Sequence, residues 1–215
     1  MSDIRAVFWD FGGVILSSPF EAFRRYEADR GLPQDFIRGI NAENPEVNAW
    51  AQLERSDISL DEFDRLFAEE SAAKGHRVPG GDVLKLLSGE VRPEMVAALK
   101  RIKTALPQAC LTNNVASGEG PGMARSVEKA AQIAEIMTLF DCVVESSKAG
   151  VRKPEPAFYQ IALDRLSVTA EEVVFLDDLG VNLKPARAMG MKTIKVEAPG
   201  PALEELSDLL GFALD

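Results

Sequence analysis

The sequence predicts an α/β protein with a doubly wound parallel sheet and a helical module inserted after the first strand. Short apolar runs rich in Val, Ile and Phe alternate with amphipathic helical patterns along most of the chain. Runs without polar alternation are typical of strands that helices cover on both faces, and their alternation with helices favours an open parallel sheet. Residues 16–85 interrupt this order with helical patterns alone. The 215 residues suffice for one such core with a smaller inserted domain.

The sheet domain is predicted to comprise residues 1–15 and 86–215. Its strands, in chain order, are the segments RAVFWD, QACLTN, FDCVVES, EVVFLDD and KTIKVE. Its helices are PEMVAALKRIK, RSVEKAAQIAEIMTLF, PEPAFYQIALDRL, NLKPARAMG and PALEELSDLLG. The chain is expected to return to the sheet near residues 86–92, after the inserted module.

The inserted module, residues 16–85, is predicted to be entirely helical. Its helical segments are PFEAFRRYEADRGL, DFIRGIN, EVNAWAQLER and LDEFDRLFAEESAAK. Ser59 and Glu62 stand three residues apart at the start of the last segment, which is the spacing of a capping box. With no strand between these segments, the module has nothing to add to the sheet and is expected to pack on its own.

The composition indicates an acidic protein that binds neither nucleic acid nor membranes. The formal net charge is −10 and no basic stripe occurs, so a nucleic-acid partner is not expected. No apolar run approaches the ~20 residues of a membrane-spanning helix, and the N-terminal segment lacks the basic and apolar regions of a secretory signal. We therefore expect a cytoplasmic protein. The two cysteines lack metal-type spacing, and a single histidine, His76, excludes a histidine-based metal site.

Polar side chains stand where the predicted strands end, at the edge where open parallel sheets bind their ligands. Asp10 ends the first strand and Thr112 ends the second. Lys153 lies in the loop after the third strand, and the pair Asp177–Asp178 ends the fourth. Each feature alone also fits an ordinary turn or helix cap. Their occurrence together at successive strand ends favours a functional site.

This set of side chains is suited to phosphoryl transfer onto an aspartate. The carboxylate of Asp10 could attack phosphorus and form an acyl phosphate, which splits hydrolysis into two steps. Two anions need a cation between them, and Asp10 with Asp178 or Asp177 offers the oxygen ligands that Mg²⁺ prefers. Lys153 would offset the negative charge of the nucleophile and of the phosphoryl group.

The turns that follow the strands would hold the phosphate. Thr112, together with the backbone N–H groups after Asp10 and Thr112, could donate hydrogen bonds to phosphate oxygens. Gly12 and Gly13 carry no side chain, so the backbone there can approach a ligand closely. The expected partner is therefore a small phosphorylated metabolite, and the oligomeric state is not encoded in any pattern of the sequence.

Four segments in this order resemble the motifs of the haloacid dehalogenase superfamily of hydrolases: WDFGGVI, LTNN, GVRKPEPAFY and VFLDDLGVNLKPARAMGM. The resemblance covers essentially the whole chain and is strongest to the phosphatase-type N-terminal domain of bifunctional soluble epoxide hydrolases. It implies a Rossmann-like core and an inserted α-helical cap, which closes over the site and shapes substrate choice. It also implies a Mg²⁺-dependent phosphatase.

The same resemblance implies a role for each motif residue. Asp10 is the nucleophile and a Mg²⁺ ligand, and the residue at position 12, here Gly12, supplies a further ligand through its backbone carbonyl. Asp178 is the main metal ligand of the fourth motif, and Asp177 is its neighbour or a water-mediated partner. The residues that bind phosphate or assist catalysis are Gly12, Gly13, Thr112, Asn113 and Lys153. Asn182 falls where an acidic or amide residue helps to order the site.

Position 12 departs from the family pattern. The first motif usually has the form Asp-x-Asp-Gly, and its second aspartate is the general acid/base, whereas this chain has Gly12. General acid–base assistance is typically worth about 10²–10⁴-fold in rate. The favoured hypothesis is a phosphatase suited to good leaving groups, such as sugar 1-phosphates or acyl phosphates. Two alternatives stay open: a phosphate-binding or regulatory protein without turnover, and a metal-free haloacid dehalogenase, against which the Asp177–Asp178 pair argues.

Overall fold

The computed structural model describes residues 4–87, 89–114 and 127–214. The strands in these ranges are β1 (Ala6–Trp9), β2 (Gln108–Thr112), β3 (Cys142–Glu145), β4 (Val173–Asp177) and β5 (Lys192–Lys195). They pair in parallel and form one sheet in the order β3-β2-β1-β4-β5. The first strand is thus central and the chain winds outward from it in both directions, which confirms the predicted doubly wound sheet.

The described residues also form helices between and around these strands. The helices are α1 (Phe20–Arg30), α2 (Phe36–Ala42), α3 (Ala49–Glu54), α4 (Leu60–Ala73), α5 (Gly80–Lys85), α6 (Pro93–Ile102), α7 (Val127–Met137), α8 (Ser146–Ala149), α9 (Pro156–Leu166), α10 (Gly180–Ala188) and α11 (Pro199–Leu210). A π-helical turn (Phe11–Ile15) follows β1, and a 3₁₀ turn (Ala170–Glu172) precedes β4. Across the described ranges, every helix is too short or too polar to cross a membrane.

The sheet is buried on both faces, as the uninterrupted apolar runs predict. Trp9 packs in a cluster with Met95 of α6 and Leu206 of α11, whereas Phe8 packs on the opposite face with Phe158 of α9. All four residues of β1 are fully buried. Because close-packed helices fix the sheet from both sides, the carboxyl ends of its strands form a rigid edge on which a site can be built.

The segment from Phe20 to Lys85 forms α1–α5, which we call the helical insert. It has a hydrophobic cluster of its own that includes Phe23 and Phe63. Ser59 and Glu62 form the capping box at the start of α4, each side chain bonded to the backbone of the other residue. The insert is therefore helical, as the sequence predicts, while its exact domain boundaries at residues 16 and 85 stay predictions.

Three features differ from the prediction: helix α5, helix α8, and the path of the chain near residues 86–92. At Gly80 an added Cβ would lie 2.9 Å from the ring of Phe63, so glycine lets α5 pack closely on α4. Helix α8 follows β3 where the sequence predicts a loop. Both helices are too short to show a helical period and depend on packing.

Near residues 86–92, the described part adds no strand to the sheet, and Val91 makes an isolated antiparallel bridge to Leu16 instead. The first residues of the predicted helix RSVEKAAQIAEIMTLF lie outside the described ranges.

Candidate active site

Asp10 directly follows β1 and forms the centre of the site. Its N–H donates to the carbonyl of Leu176 in β4 at 2.8 Å, which fixes its backbone at the edge of the sheet. Its Oδ1 accepts a hydrogen bond from the N–H of Phe11 at 2.6 Å, so the carboxylate caps the following turn. Burial raises the pKa of Asp10 well above its usual value, and Lys153 acts in the opposite direction.

The two glycines after Asp10 differ in what they permit. Gly13 has a φ of 83°, and a Cβ added there would lie 2.3 Å from Oδ2 of Asp178. Both the backbone and this close approach therefore require glycine at position 13. Gly12 has a φ of −73° and a ψ of 127°, which most residues adopt readily. Gly12 is exposed, and a Cβ added there would meet no atom of the described residues within 4 Å. Position 12 therefore has room for a side chain.

Lys153 lies between two carboxylates at the edge of the sheet. Its Nζ is 2.8 Å from Oδ1 of Asp10 and 2.8 Å from Oδ2 of Asp177. The lysine side chain is 1% exposed. Desolvation alone would lower the pKa of Lys153, but the two carboxylates raise it overall, so the ammonium stays charged. The structure thus brings the loop after β3 to the end of β1 and fixes a positive charge beside Asp10.

Asp177 is fully buried, and hydrogen-bond donors surround its carboxylate. Its Oδ1 accepts from the N–H of Leu179 at 2.8 Å and from Nδ2 of Asn182 at 3.0 Å. Its Oδ2 accepts from Nζ of Lys153 at 2.8 Å and from Nδ2 of Asn182 at 3.1 Å. The hydroxyl of Tyr159 donates to the carbonyl of Asn182 at 2.7 Å and holds that residue in place. Since a carboxylate has about four acceptor sites, these contacts make Asp177 an anchor for Lys153.

Asp178 is the more accessible of the two consecutive aspartates. It is half-buried, and its Oδ2 accepts a long hydrogen bond of 3.4 Å from Oγ of Ser18. Burial and the neighbouring Asp177 raise the pKa of Asp178 to about 6. Ligand atoms of Asp10, Asp177 and Asp178 lie within 4.8 Å of one another. Lys153 contacts two of these three carboxyl groups, Asp10 and Asp177, so acidic groups outnumber the ammonium in this cluster of described residues.

The two predicted phosphate-binding residues at the end of β2 differ in their contacts. Thr112 is the last residue of β2 and is 3% exposed. The side-chain amide of Asn113 bonds to both backbone groups of Lys153: its Nδ2 donates to the carbonyl at 2.9 Å and its Oδ1 accepts from the N–H at 2.8 Å. The side chain of Asn113 therefore holds the lysine loop, and its contact with phosphate stays a prediction.

One pair of residues at the site is not evident from the sequence. Glu54, at the end of α3, is 5% exposed, and its Oε2 lies 2.5 Å from Nη2 of Arg152. The same oxygen accepts a long hydrogen bond of 3.4 Å from Nδ2 of Asn113. Burial raises the pKa of Glu54, and Arg152 opposes that shift. In the sequence Glu54 is followed by Arg55 at the end of a helix, and charged residues there are usually solvated. Only the fold therefore reveals the buried pair of Glu54 with Arg152.

Comparison with known proteins decides the family. The family model of the haloacid dehalogenase-like hydrolases matches residues 4–190. The chain belongs to this family. A solved haloacid dehalogenase family enzyme of Bacteroides thetaiotaomicron, in complex with magnesium and inorganic phosphate, shares the fold with a TM-score of 0.59 and 16% identity. That superposition covers 94% of this chain and 98% of the other.

The curated relatives of this haloacid dehalogenase-like hydrolase include much longer proteins. Acyl-CoA dehydrogenase family member 10 of Mus musculus is 35% identical over 98% of the chain and 19% of its own length. Bifunctional epoxide hydrolase 2 of Mus musculus is 34% identical over 97% of the chain and 39% of its own length. The chain thus spans less than half of either relative. A sesquiterpene phosphatase of Aspergillus oryzae is 24% identical over 96% of the chain and 97% of its own length. The predicted resemblance to phosphatase-type relatives is confirmed.

Proposed function

We propose that this chain is a Mg²⁺-dependent phosphatase that hydrolyses small phosphate esters through a phosphorylated Asp10. The observation that carries the proposal is the 2.8 Å contact between Nζ of Lys153 and Oδ1 of Asp10. In the described part of the chain, Lys153 and the N–H of Phe11 both donate to Oδ1, so Oδ2 is the oxygen left to attack phosphorus. The fixed ammonium lowers the repulsion between the carboxylate and an incoming phosphoryl group.

The donor chemistry of the site fits Mg²⁺. This ion takes oxygen ligands, usually one or two carboxylates with substrate phosphate oxygens, and the cluster has three carboxyl groups beside one ammonium. Asp10 and Asp178 would hold the ion together with the backbone carbonyl of Gly12. Asp177 is left out because its carboxylate already accepts four hydrogen bonds from neighbouring groups. A bound Mg²⁺ would supply Lewis-acid polarisation of a phosphoryl oxygen. The magnesium and phosphate in the Bacteroides thetaiotaomicron relative support this assignment.

The residues of the chain account for two chemical steps. First, Oδ2 of Asp10 bonds to phosphorus, the bond from phosphorus to the leaving oxygen breaks, and that oxygen takes a proton from water. Lys153 offsets the charge of both groups and Thr112 donates to a phosphoryl oxygen. Second, water attacks phosphorus, the Asp10 carboxylate is released with inorganic phosphate as product, and the excess proton passes to solvent. Gly12 transfers no proton in either step, so the rate depends on how readily the leaving oxygen departs.

The helical insert is proposed to act as the cap of this site. Ser18, in the segment that leads into the insert, reaches Asp178 at 3.4 Å, and Glu54 of α3 within the insert reaches Asn113 at 3.4 Å. These contacts support an insert that covers the edge of the sheet, where closure excludes water and selects substrates by shape. The proposed substrate is a small phosphorylated metabolite.

Hydrolysis of p-nitrophenyl phosphate, measured with Mg²⁺ and with EDTA, tests the proposal. The leaving phenolate departs readily without a general acid, so Gly12 does not mask a working nucleophile. We expect Mg²⁺-dependent turnover by the wild-type protein and none by Asp10→Asn, which keeps the size of the side chain but not its nucleophilicity. Turnover that persists in Asp10→Asn or in EDTA would overturn the proposal.

A phosphate-binding protein without turnover is the second candidate, and the empty position at Gly12 is the observation that favours it. It predicts that calorimetry detects phosphate binding in the presence of Mg²⁺ while no ester in a broad panel is hydrolysed. Halide release from a 2-haloacid in EDTA would instead support a metal-free dehalogenase. A metal-free site gains nothing from the clustered carboxylates of Asp10, Asp177 and Asp178.

A further inference from the structure

We propose that Glu54 of the helical insert is a positioning residue for Lys153: through Arg152 and Asn113 it holds the lysine loop in the geometry that turnover requires. The inference rests on the proposed phosphatase function, because that function makes Lys153 catalytic. Its structural part, the coupling between the insert and the lysine loop, is testable without any turnover.

An unbroken series of contacts runs from the insert to the backbone of the lysine. Oε2 of Glu54 lies 2.5 Å from Nη2 of Arg152, the residue directly before Lys153. The same Oε2 accepts from Nδ2 of Asn113 at 3.4 Å. Asn113 in turn bonds to the carbonyl and the N–H of Lys153 at 2.9 and 2.8 Å. Glu54 therefore contacts two residues next to Lys153: Arg152, which precedes it in the chain, and Asn113, which bonds to its backbone.

The guanidinium of Arg152 binds the insert at two points. Besides Glu54, it donates from Nη1 to the carbonyl of Pro45 at 2.9 Å. The side chains of Arg152 and Glu54 are 14% and 6% exposed. A buried charge that loses its partner is strongly disfavoured, so the two charges stay paired only while the insert rests against the lysine loop. The two elements are thereby coupled.

A second contact between the insert and the core provides a matched control. Oγ of Ser56 donates to the carbonyl of Ser147 in α8 at 3.1 Å. Ser56 lies two residues after Glu54, but among the described residues its hydroxyl bonds to Ser147 and makes no hydrogen bond to Asn113 or Lys153. If the insert needed only to be attached to the core, loss of either contact would have similar effects. If Glu54 positions the lysine loop, only its own loss affects Lys153.

Hydrogen exchange and steady-state kinetics, measured together on Glu54→Gln, Arg152→Gln, their double variant and Ser56→Ala, test the inference. We expect faster exchange at the backbone N–H of Lys153 in the first three variants and wild-type exchange in Ser56→Ala. With p-nitrophenyl phosphate, kcat should fall on the order of tenfold to a hundredfold with little change in KM, since a small misplacement of a catalytic group costs this much. The effects of the two single substitutions should add up to less than their sum in the double variant, because both residues share the Glu54–Arg152 pair.

Glu54→Asp keeps the charge and shortens the side chain, so an intermediate kcat is expected and the test survives if Glu54→Gln folds poorly. Wild-type exchange and wild-type kcat in Glu54→Gln would overturn the inference, as would equal effects in Ser56→Ala. Faster exchange at Lys153 in a protein whose wild type hydrolyses no ester would support the coupling and overturn the phosphatase function. Turnover by the wild type, with wild-type exchange and kcat in Glu54→Gln, would support the phosphatase function and overturn the coupling.

Discussion

Replacing Gly12 by aspartate would restore the carboxyl group that the first motif usually contains, and the structure predicts that it fits. The backbone at Gly12 has a φ of −73° and a ψ of 127°, and an added Cβ would meet no described atom within 4 Å. Replacing glycine by alanine at such a position typically stabilises the fold by about 0.4–1 kcal/mol, because the unfolded chain becomes less free. Repulsion from Asp10 and Asp178 would favour the protonated form of the new carboxyl group, which is the form that a general acid requires.

The expected gain in rate depends on the leaving group. A general acid is worth about 10²–10⁴-fold, or about 3–5 kcal/mol of activation free energy, when the leaving oxygen needs a proton to depart. The assay is kcat/KM for a series of phosphate monoesters whose leaving groups range from p-nitrophenol to simple alcohols. Wild-type activity should fall steeply along this series. Gly12→Asp should flatten the slope, with its largest gain for the alkyl phosphates and little gain for p-nitrophenyl phosphate.

Gly12→Asn is the matched control, because its amide fills the same space but transfers no proton. It should keep the steep slope of the wild type. A steep slope in Gly12→Asp would refute the argument that position 12 lacks only the acid. Equal flattening by Gly12→Asn would show that filling the space, and not proton transfer, changes the rate.

Four further substitutions have distinct expected effects. Gly13→Ala places a Cβ 2.3 Å from Asp178 at a φ of 83°. We expect a lower melting temperature, from a backbone cost of roughly 1–2 kcal/mol, and loss of Mg²⁺-dependent turnover. An unchanged melting temperature and unchanged turnover would contradict this geometry. Asp178→Asn should raise the Mg²⁺ concentration for half-maximal turnover at least about tenfold, as loss of a charged ligand implies. Asp177→Asn removes one of the two carboxylates that contact Lys153 and should instead lower the free energy of unfolding, by less than the roughly 3–5 kcal/mol of a fully unpaired buried charge, because Asp10 still contacts the ammonium. Identical Mg²⁺ titrations of the two variants would argue against separate roles. Ser59→Ala removes the capping box of α4 and should cost ~1 kcal/mol in urea unfolding with unchanged kcat, so a large loss of activity would contradict its separation from the site.

The sheet and the convergence of polar residues at its edge were predictable because both follow from local patterns. Strands buried on both faces leave uninterrupted apolar runs, and parallel strands share one carboxyl edge. Polar residues that end such runs therefore have to lie near one another. Asp10 and Lys153 are far apart in the chain, yet their atoms are 2.8 Å apart in the structure.

The separate roles of the residues in the candidate site depend on tertiary contacts that no local pattern encodes. The sequence places Asp177 and Asp178 side by side, but only the fold shows that Lys153 and Asn182 bond to the first of them. The buried partnership of Glu54 with the lysine loop depends likewise on how the insert rests on the core. The difference between the two glycines of the first motif is a matter of φ and of neighbouring atoms, which identical residue types cannot reveal.

Phosphorylation of Asp10 during turnover is the most direct consequence of the proposed chemistry. The protein would be mixed with p-nitrophenyl phosphate and Mg²⁺, quenched in acid at successive times, digested and analysed by mass spectrometry to locate the phosphoryl group. We predict a phosphoryl group on the peptide that contains Asp10 in the wild type and none in Asp10→Asn. Sustained turnover with this peptide unmodified at every quench time, or with the phosphoryl group on another residue, would contradict the assignment of Asp10 as the nucleophile.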